Sequence, residues 1–129
     1  MPRFFSLAQC ERWVRGVYDG RDEWTEDFGG EQYCLGRAFY THLEEDREDE
    51  YFDDPEASDA VVERWTPGLQ AAMRELVARV TKARVVQRRG WCGPGVHVFP
   101  PGEPVADRGG VCHFDMEGLV ADHIARRRP

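Results

Sequence analysis

The sequence predicts an α+β protein in which helices come first and β-structure follows. Apolar residues recur at helical spacing in several stretches of residues 1–82. From residue 83 onward valines and aromatic residues dominate, glycines and prolines punctuate the chain, and the helical spacing disappears. A chain of 129 residues has the length of one ordinary domain. We therefore expect a single domain, 1–129, that is mainly helical over 1–82 and begins its β-core over 83–129.

The first helix is predicted by its start, its spacing and its stop. Ser6 and Gln9 form a capping-box pattern, in which each residue can satisfy a free backbone N–H of the other. Apolar residues then follow at helical spacing, namely Leu7, Cys10, Val14 and Val17. Gly20 supplies the stop, so we expect a helix over residues 7–19.

Two further helices are predicted in the middle of the chain. Asp54 before Pro55 is typical of a helix start, and this helix can run to Trp65. Thr66 and Pro67 repeat the signal and open a longer helix. One apolar stripe along it is expected to face the core: Leu69, Met73, Leu76, Val77 and Val80.

The segments between the helices are expected to be less regular. Residues 21–32 are predicted as a loop, and residues 33–40, YCLGRAFY, as a short strand. Residues 44–54 hold eight acids and one arginine without the spacing of a calcium loop. They are predicted to be a solvated, mobile connection. Three strands are then expected in residues 83–89, 95–100 and 109–115.

Charge and composition narrow the function classes. The formal net charge is −7, and an acidic chain repels phosphate backbones, which disfavours nucleic acid as a partner. The four cysteines include no C-x-x-C pair, and we expect reduced thiols in a cytoplasmic protein. The start lacks a signal-peptide pattern, and no apolar run approaches the roughly 18 residues that span a bilayer, so no membrane partner is expected.

His113 and Asp115 are the candidate metal ligands. Side chains two residues apart on a strand point the same way, so this imidazole and carboxylate would project side by side. Two histidines and one carboxylate on one face form an iron(II) site that leaves positions open for substrate and oxygen. A lone H-x-D triplet is also common as a surface ion pair or hydrogen bond, so its context matters.

That context begins at Arg89, where the chain has RGWCGPGVHVFPPGEPVADRGGVCHFDMEGL. A strand that ends in F-P-P-G, followed by a glycine pair that enters H-x-D and E-G-L, resembles the iron(II)- and 2-oxoglutarate-dependent oxygenases. The resemblance covers roughly residues 83–129 and is weak over the helical part. It implies a double-stranded β-helix, a jelly-roll or cupin-like fold, after N-terminal helices.

Carried over residue by residue, the resemblance implies that His113 and Asp115 are the first two ligands of Fe(II). The family's third ligand is a histidine on a much later strand, with an arginine beyond it that binds 2-oxoglutarate. Only 14 residues follow Asp115, and His123 is too near to be that ligand. We therefore expect the chain to be the N-terminal portion of a larger oxygenase, inactive by itself. Asp115 disfavours halogenation, and hydroxylation of a small or amino-acid-like molecule is expected.

Four other residues are candidates for the pocket. His97 and Phe99 share one face of the strand before the H-x-D segment, where they could line a cofactor or substrate pocket. Trp91 and Arg89 precede that strand and could join them. The alternative for all four is a structural role in packing, hydrogen bonding or surface charge.

Two other function classes stay open. One is a small zinc-binding module that uses Cys92, His97, Cys112 and His113, although adjacent residues of a strand point to opposite faces. The other is a non-catalytic, acidic interaction module descended from an oxygenase. The oligomeric state is not predicted.

Overall fold

A computed structural model describes residues 4–101 as five α-helices and a three-stranded antiparallel sheet, which confirms the α+β class for this range. The predicted order, with helices first and the β-core only from residue 83, is wrong, because two of the three strands lie between the first and second helices. The helices are α1 (Leu7–Asp19), α2 (Phe39–Glu44), α3 (Glu48–Asp53), α4 (Pro55–Trp65) and α5 (Leu69–Thr81). The strands are β1 (Thr25–Asp27), β2 (Gln32–Leu35) and β3 (Val96–Val98). The predicted strand over 109–115 lies outside the described residues. None of the helices in the described range combines the length and the apolar character needed to cross a membrane.

The sheet has the order β1-β2-β3, and both pairings are antiparallel. A 3₁₀ turn, Phe28–Gly30, joins β1 to β2. Cys34, in the central strand, lies opposite Thr25 on one side and His97 on the other. The strand predicted in residues 95–100 is confirmed as β3. The strand predicted in 33–40 is confirmed for its first residues only, and the loop predicted over 21–32 contains β1.

Two of the predicted helix starts are confirmed by their caps. The Ser6 side chain accepts a hydrogen bond from the Gln9 backbone N–H at 3.2 Å, and the Gln9 side chain accepts one from the Ser6 N–H at 3.0 Å. Gly20 ends α1 as expected. The Asp54 carboxylate accepts from the Ala57 N–H at 2.9 Å and caps α4. Local side-chain chemistry therefore fixes these boundaries.

Helices α1 and α4 approach each other closely at a glycine. A β-carbon on Gly16 would lie 1.8 Å from the carbonyl oxygen of Trp65, so only glycine fits there. The Trp13 indole N–H donates to the Pro67 carbonyl at 3.0 Å just beyond α4. The two helices therefore form one wall of the molecule, and Val17 and Val62 are buried.

The prediction of a mobile acidic connection over 44–54 is wrong, because most of it forms α3. Tyr51 is 4% exposed and contacts the rings of Phe39, Phe52 and Trp91. The free energy gained by burying these aromatic rings offsets the repulsion among the exposed acids. The number of acids in residues 44–54 did not reveal that buried Tyr51 holds this segment against the aromatic rings.

Two other predictions are also wrong. The apolar stripe of α5 does not face a core, since Met73, Val77 and Val80 are exposed. Residues 83–89 do not form a strand: the Gln87 amide donates to Asp59 Oδ2 and to the Trp91 carbonyl oxygen, and no strand within residues 4–101 pairs with this segment. The segment runs instead as an extended chain beside α5.

Candidate functional site

One face of the sheet is lined by polar and ionisable side chains. Residues opposite each other on paired strands share a face, and residues two apart on one strand share it as well. The register therefore places five side chains together: Thr25, Asp27, Gln32, Cys34 and His97. We call this set the polar sheet face. The other face carries Tyr33, which contacts Trp24, and the fully buried Leu35.

Helix α2 covers part of the polar sheet face. The Gln32 amide donates to Thr41 Oγ1 at 3.0 Å and contacts Cys34 Sγ at 3.4 Å. Gln32, Cys34 and Thr41 are all buried. A buried polar group without a partner costs about 1–3 kcal/mol, so these mutual hydrogen bonds are what makes a polar interior tolerable here.

Asp27 places a negative charge in this interior. Its side chain has no exposed surface, and Oδ1 accepts a hydrogen bond from Arg47 Nη2 at 2.6 Å. Arg47 also pairs with Glu45 and, at 3.5 Å, with Glu50. The second oxygen of Asp27, Oδ2, is buried and accepts no hydrogen bond within the described part of the chain. The carboxylate therefore keeps one lone-pair direction open toward its neighbours.

Cys34 and His97 form a neutral pair next to this carboxylate. Cys34 Sγ lies 3.7 Å from His97 Nδ1. Burial, together with the neighbouring Asp27, raises the pKa of the Cys34 thiol to about 12. Burial lowers the pKa of His97 from its ordinary value, and the charge of Asp27 opposes that shift. At neutral pH the thiol keeps its proton and the imidazole is uncharged, so the pair suits hydrogen bonding rather than nucleophilic attack.

His97 and Phe99 occupy the outer end of the polar sheet face. Their rings stack with centroids 6.3 Å apart, and both side chains are exposed. The prediction that these two residues share a face is confirmed. His97 thus has Nδ1 against Cys34 Sγ, while the residue keeps exposed surface.

An open cleft of about 450 Å³ adjoins this face and includes Thr25 in its lining. Its other lining residues are Arg37, His42, Asp49, Glu50 and Asp53. His42 is 3% exposed, and its Nδ1 lies 2.8 Å from the carbonyl oxygen of Ala38. Because a carbonyl only accepts, Nδ1 carries the proton of this ring. His42 is therefore held in one orientation at the cleft wall.

The other two candidate pocket residues lie in a different part of the fold. Trp91 packs among Phe39, Tyr51 and Phe52, with ring centroids 5.0–5.9 Å away. Arg88, rather than Arg89, lies over the Trp91 ring, at 4.9 Å. Arg89 is exposed. The structure thus brings His97 and Phe99 together and places Trp91 in an aromatic cluster.

No group of three or more His, Cys, Asp or Glu side chains within residues 4–101 could hold a metal ion. The predicted iron ligands His113 and Asp115 lie outside the described residues. Of the alternative zinc set, Cys92 Sγ donates to the Tyr51 carbonyl at 3.4 Å, and His97 lies beside Cys34. Cys112 and His113, the other half of that set, also lie outside the described residues.

Sequence reasoning did not find the members of this site that come from separate elements. Asp27, Gln32, Thr41 and Arg47 meet only because β1 and β2 pair and α2 folds back over them. One signal was available: Gln32 and Cys34 alternate with Tyr33 and Leu35, a two-residue period that separates a polar from an apolar face.

Comparisons of the chain with protein-family models, with curated proteins and with solved structures give no match.

Proposed function

We propose that the protein belongs to an iron(II)- and 2-oxoglutarate-dependent oxygenase and that its polar sheet face borders the substrate chamber. One observation carries the proposal. Strand β3 pairs antiparallel with β2, presents His97 on the polar face, and ends 15 residues before the H-x-D segment in the chain. A double-stranded β-helix is built from antiparallel strands whose inward side chains line its site, and this arrangement supports β3 as a neighbour of the metal.

The proposal divides the chemistry between two parts of the chain. Iron(II) and 2-oxoglutarate supply the oxidising power, with His113 and Asp115 as two of the metal ligands. The polar sheet face binds and orients the substrate. Its accessible member, His97, can accept or donate a hydrogen bond, and the stacked Phe99 ring offers an apolar surface beside it. Buried Gln32 contacts Cys34, and Cys34 in turn lies against Nδ1 of the His97 ring.

The substrate of this proposal is a small or amino-acid-like molecule, and the site of action is the cytoplasm. The cleft next to Thr25 supports a polar substrate, since carboxylates from α3 and the guanidinium of Arg37 line the same cavity. Such mixed charge favours molecules that carry both an amine and an acid group.

The experiment is an assay of iron-dependent conversion of 2-oxoglutarate to succinate by the protein as its natural source produces it. His113→Ala and Asp115→Ala should each abolish succinate formation, while the far-ultraviolet circular dichroism stays unchanged. His123→Ala is the matched control and should retain activity, because the proposal gives His123 no ligand role. Full activity in either the His113 or the Asp115 variant would refute the ligand assignment.

A second variant tests the role of the polar sheet face. His97→Leu should raise the KM for the substrate at least tenfold and change the substrate-free turnover of 2-oxoglutarate much less, because His97 positions substrate rather than metal. An equal loss of both activities would place His97 in the metal site instead, and no change in either would remove it from the chamber.

A further inference from the structure

A basic and apolar surface lies on α5 and the extended segment that follows it. Residues 74–89 contain six basic residues and one acid, in a chain whose overall charge is −7. The basic residues are Arg74, Arg79, Lys82, Arg84, Arg88 and Arg89. Apolar side chains are exposed among them, with Val77 at 44% and Val86 at 64%. Its positive charge distinguishes this surface from the acidic remainder of the protein.

The surface contains a groove of about 380 Å³ between α5 and residues 85–94. Its walls are mainly apolar and include Met73, Val77, Val85, Val86, Trp91 and Pro94. Two guanidinium groups, those of Arg74 and Arg88, also line it. Small-molecule pockets occupy about 300–1,000 Å³ and combine apolar walls with a few placed polar groups, and this groove has both properties.

Asp59 of α4 holds the outer wall of the groove in place. Its Oδ1 accepts hydrogen bonds from the Gly93 N–H at 2.6 Å and from the Gln70 amide at 3.2 Å. Its Oδ2 accepts from the Gln87 amide at 2.6 Å, and the same amide donates to the Trp91 carbonyl at 2.8 Å. The segment beside α5 is therefore tied down at both ends, so the groove is formed before any ligand arrives.

We propose that this groove binds a small organic anion with an apolar body, such as a medium-chain carboxylate. The apolar body would displace water from Met73, Val77 and Val86, and the carboxylate would meet Arg74 and Arg88. Exposed apolar surface gains about 25 cal/mol per Å² when it is covered, while the two guanidinium groups select for negative charge. A cationic ligand of the same shape would face like charges. The proposal is independent of the oxygenase chemistry, because the groove shares no lining residue with the cleft beside the polar sheet face.

The groove favours a single molecule over a membrane surface. Its apolar walls are concave, so a flat bilayer would touch the rim and leave the interior uncovered. Anionic vesicles are therefore a competing ligand in the test rather than part of the proposal.

The test compares decanoate with decyltrimethylammonium, both below their micelle concentrations, by calorimetry and by tryptophan fluorescence of the full chain. We expect decanoate to bind with one site per chain and at least tenfold more tightly than the cation. Trp91→Phe should remove the fluorescence change, because Trp91 lines the groove. Equal affinity for the two amphiphiles, or binding of many molecules per chain, would overturn the proposal.

Matched variants on the same helix locate the site. Val77→Glu and Arg74→Gln should weaken decanoate binding at least tenfold, because both residues line the groove. Val80→Glu and Arg79→Gln change exposed residues of α5 that do not line it and should leave the affinity within twofold. A groove site would be contradicted if all four variants lost affinity for decanoate equally. It would also be contradicted if the protein bound phosphatidylglycerol vesicles more tightly than free decanoate.

Discussion

The polar sheet face and the groove beside α5 differ in how each one exposes its chemistry. In the first, Asp27, Gln32 and Cys34 are buried; the Gln32 amide contacts Cys34, and Asp27 forms an ion pair with Arg47. In the second, apolar side chains of α5 face solvent. A buried polar side chain contributes to stability only through its hydrogen-bond and ion-pair partners. An exposed apolar side chain gains free energy only when a bound molecule covers it. Substitutions should therefore damage stability in the first region and binding in the second.

The largest effect on stability is expected for Arg47→Met. Arg47 is the ion-pair partner of the fully buried Asp27, and removing it leaves an uncompensated charge in the interior. Because Arg47 is itself 23% exposed, we expect a loss near the low end of the range for buried pairs, about 3 kcal/mol. Urea unfolding measures it. The matched control is Arg64→Met, whose pair with Glu23 is exposed and should contribute less than about 1 kcal/mol. Equal losses in the two variants would contradict the claim that burial of Asp27 makes its ion pair the more important of the two.

A smaller loss of stability is expected for Asp59→Ala, because Asp59 holds the wall of the groove in place. The buried Gly93 N–H would lose its acceptor, at a cost of about 1–3 kcal/mol. The same variant should lower the affinity for decanoate, since the wall is no longer held against α4. Glu63→Ala is the control, because Glu63 accepts only from the exposed Gly68 N–H in that turn. Unchanged stability together with unchanged affinity would show that the wall does not depend on Asp59.

The raised pKa of the Cys34 thiol predicts that the folded state loses stability at alkaline pH. The thiol has an ordinary pKa of 9.0, and burial raises it to about 12 in the folded state. Between these values the unfolded chain loses the proton and the folded chain keeps it, so stability falls as pH rises through this window. The slope for one group is at most about 1.4 kcal/mol per pH unit. Unfolding of the wild type and of Cys34→Ala on both sides of pH 9.0 measures it, with Cys10→Ala as control. The same pH slope in wild type and Cys34→Ala would contradict the assignment.

The lowered pKa of His97 predicts the smallest effect, a loss of stability at acidic pH. Burial lowers its pKa below the ordinary 6.5, so the unfolded chain takes up a proton first as pH falls. Stability is then fully present above pH 6.5 and declines below it. His97→Asn should reduce this decline, because an asparagine side chain does not titrate in this range. Titration of the His97 ring by NMR measures the pKa directly, and a value above 6.5 would reverse the sign.

Local signals predicted the helix boundaries well, because caps act over three or four residues. Ser6 with Gln9 and Asp54 with Pro55 begin α1 and α4 as expected. The start of α5 was placed too early, because Thr66 closes α4 with its hydroxyl on the Val62 carbonyl and Gly68, at φ +76°, makes the turn. A β-branched residue before proline gives the same signal whether it starts or ends a helix.

Features that depend on distant contacts could not be predicted from sequence. The valines of residues 83–89 predict a strand, but no strand in the part of the chain that the structure describes pairs with them, and the Gln87 side chain donates instead to Asp59 of α4. The stripe of α5 has the spacing of a core face, yet spacing alone does not say whether anything covers it. For the site, the shared face of His97 and Phe99 followed from strand geometry. The neighbours Asp27 and Cys34 required the pairing of three strands.

The most direct test of the central claim is whether the polar sheet face borders the metal site. Manganese(II) is added to the full chain, and broadening of the histidine ring resonances is followed by NMR; the chain has four histidines, so assignment by single variants is practical. We predict strong broadening of His97 that disappears in His113→Ala and in Asp115→Ala. A His97 signal that stays sharp, or that broadens equally in the His113 variant, would contradict the proposal that the polar sheet face borders the metal.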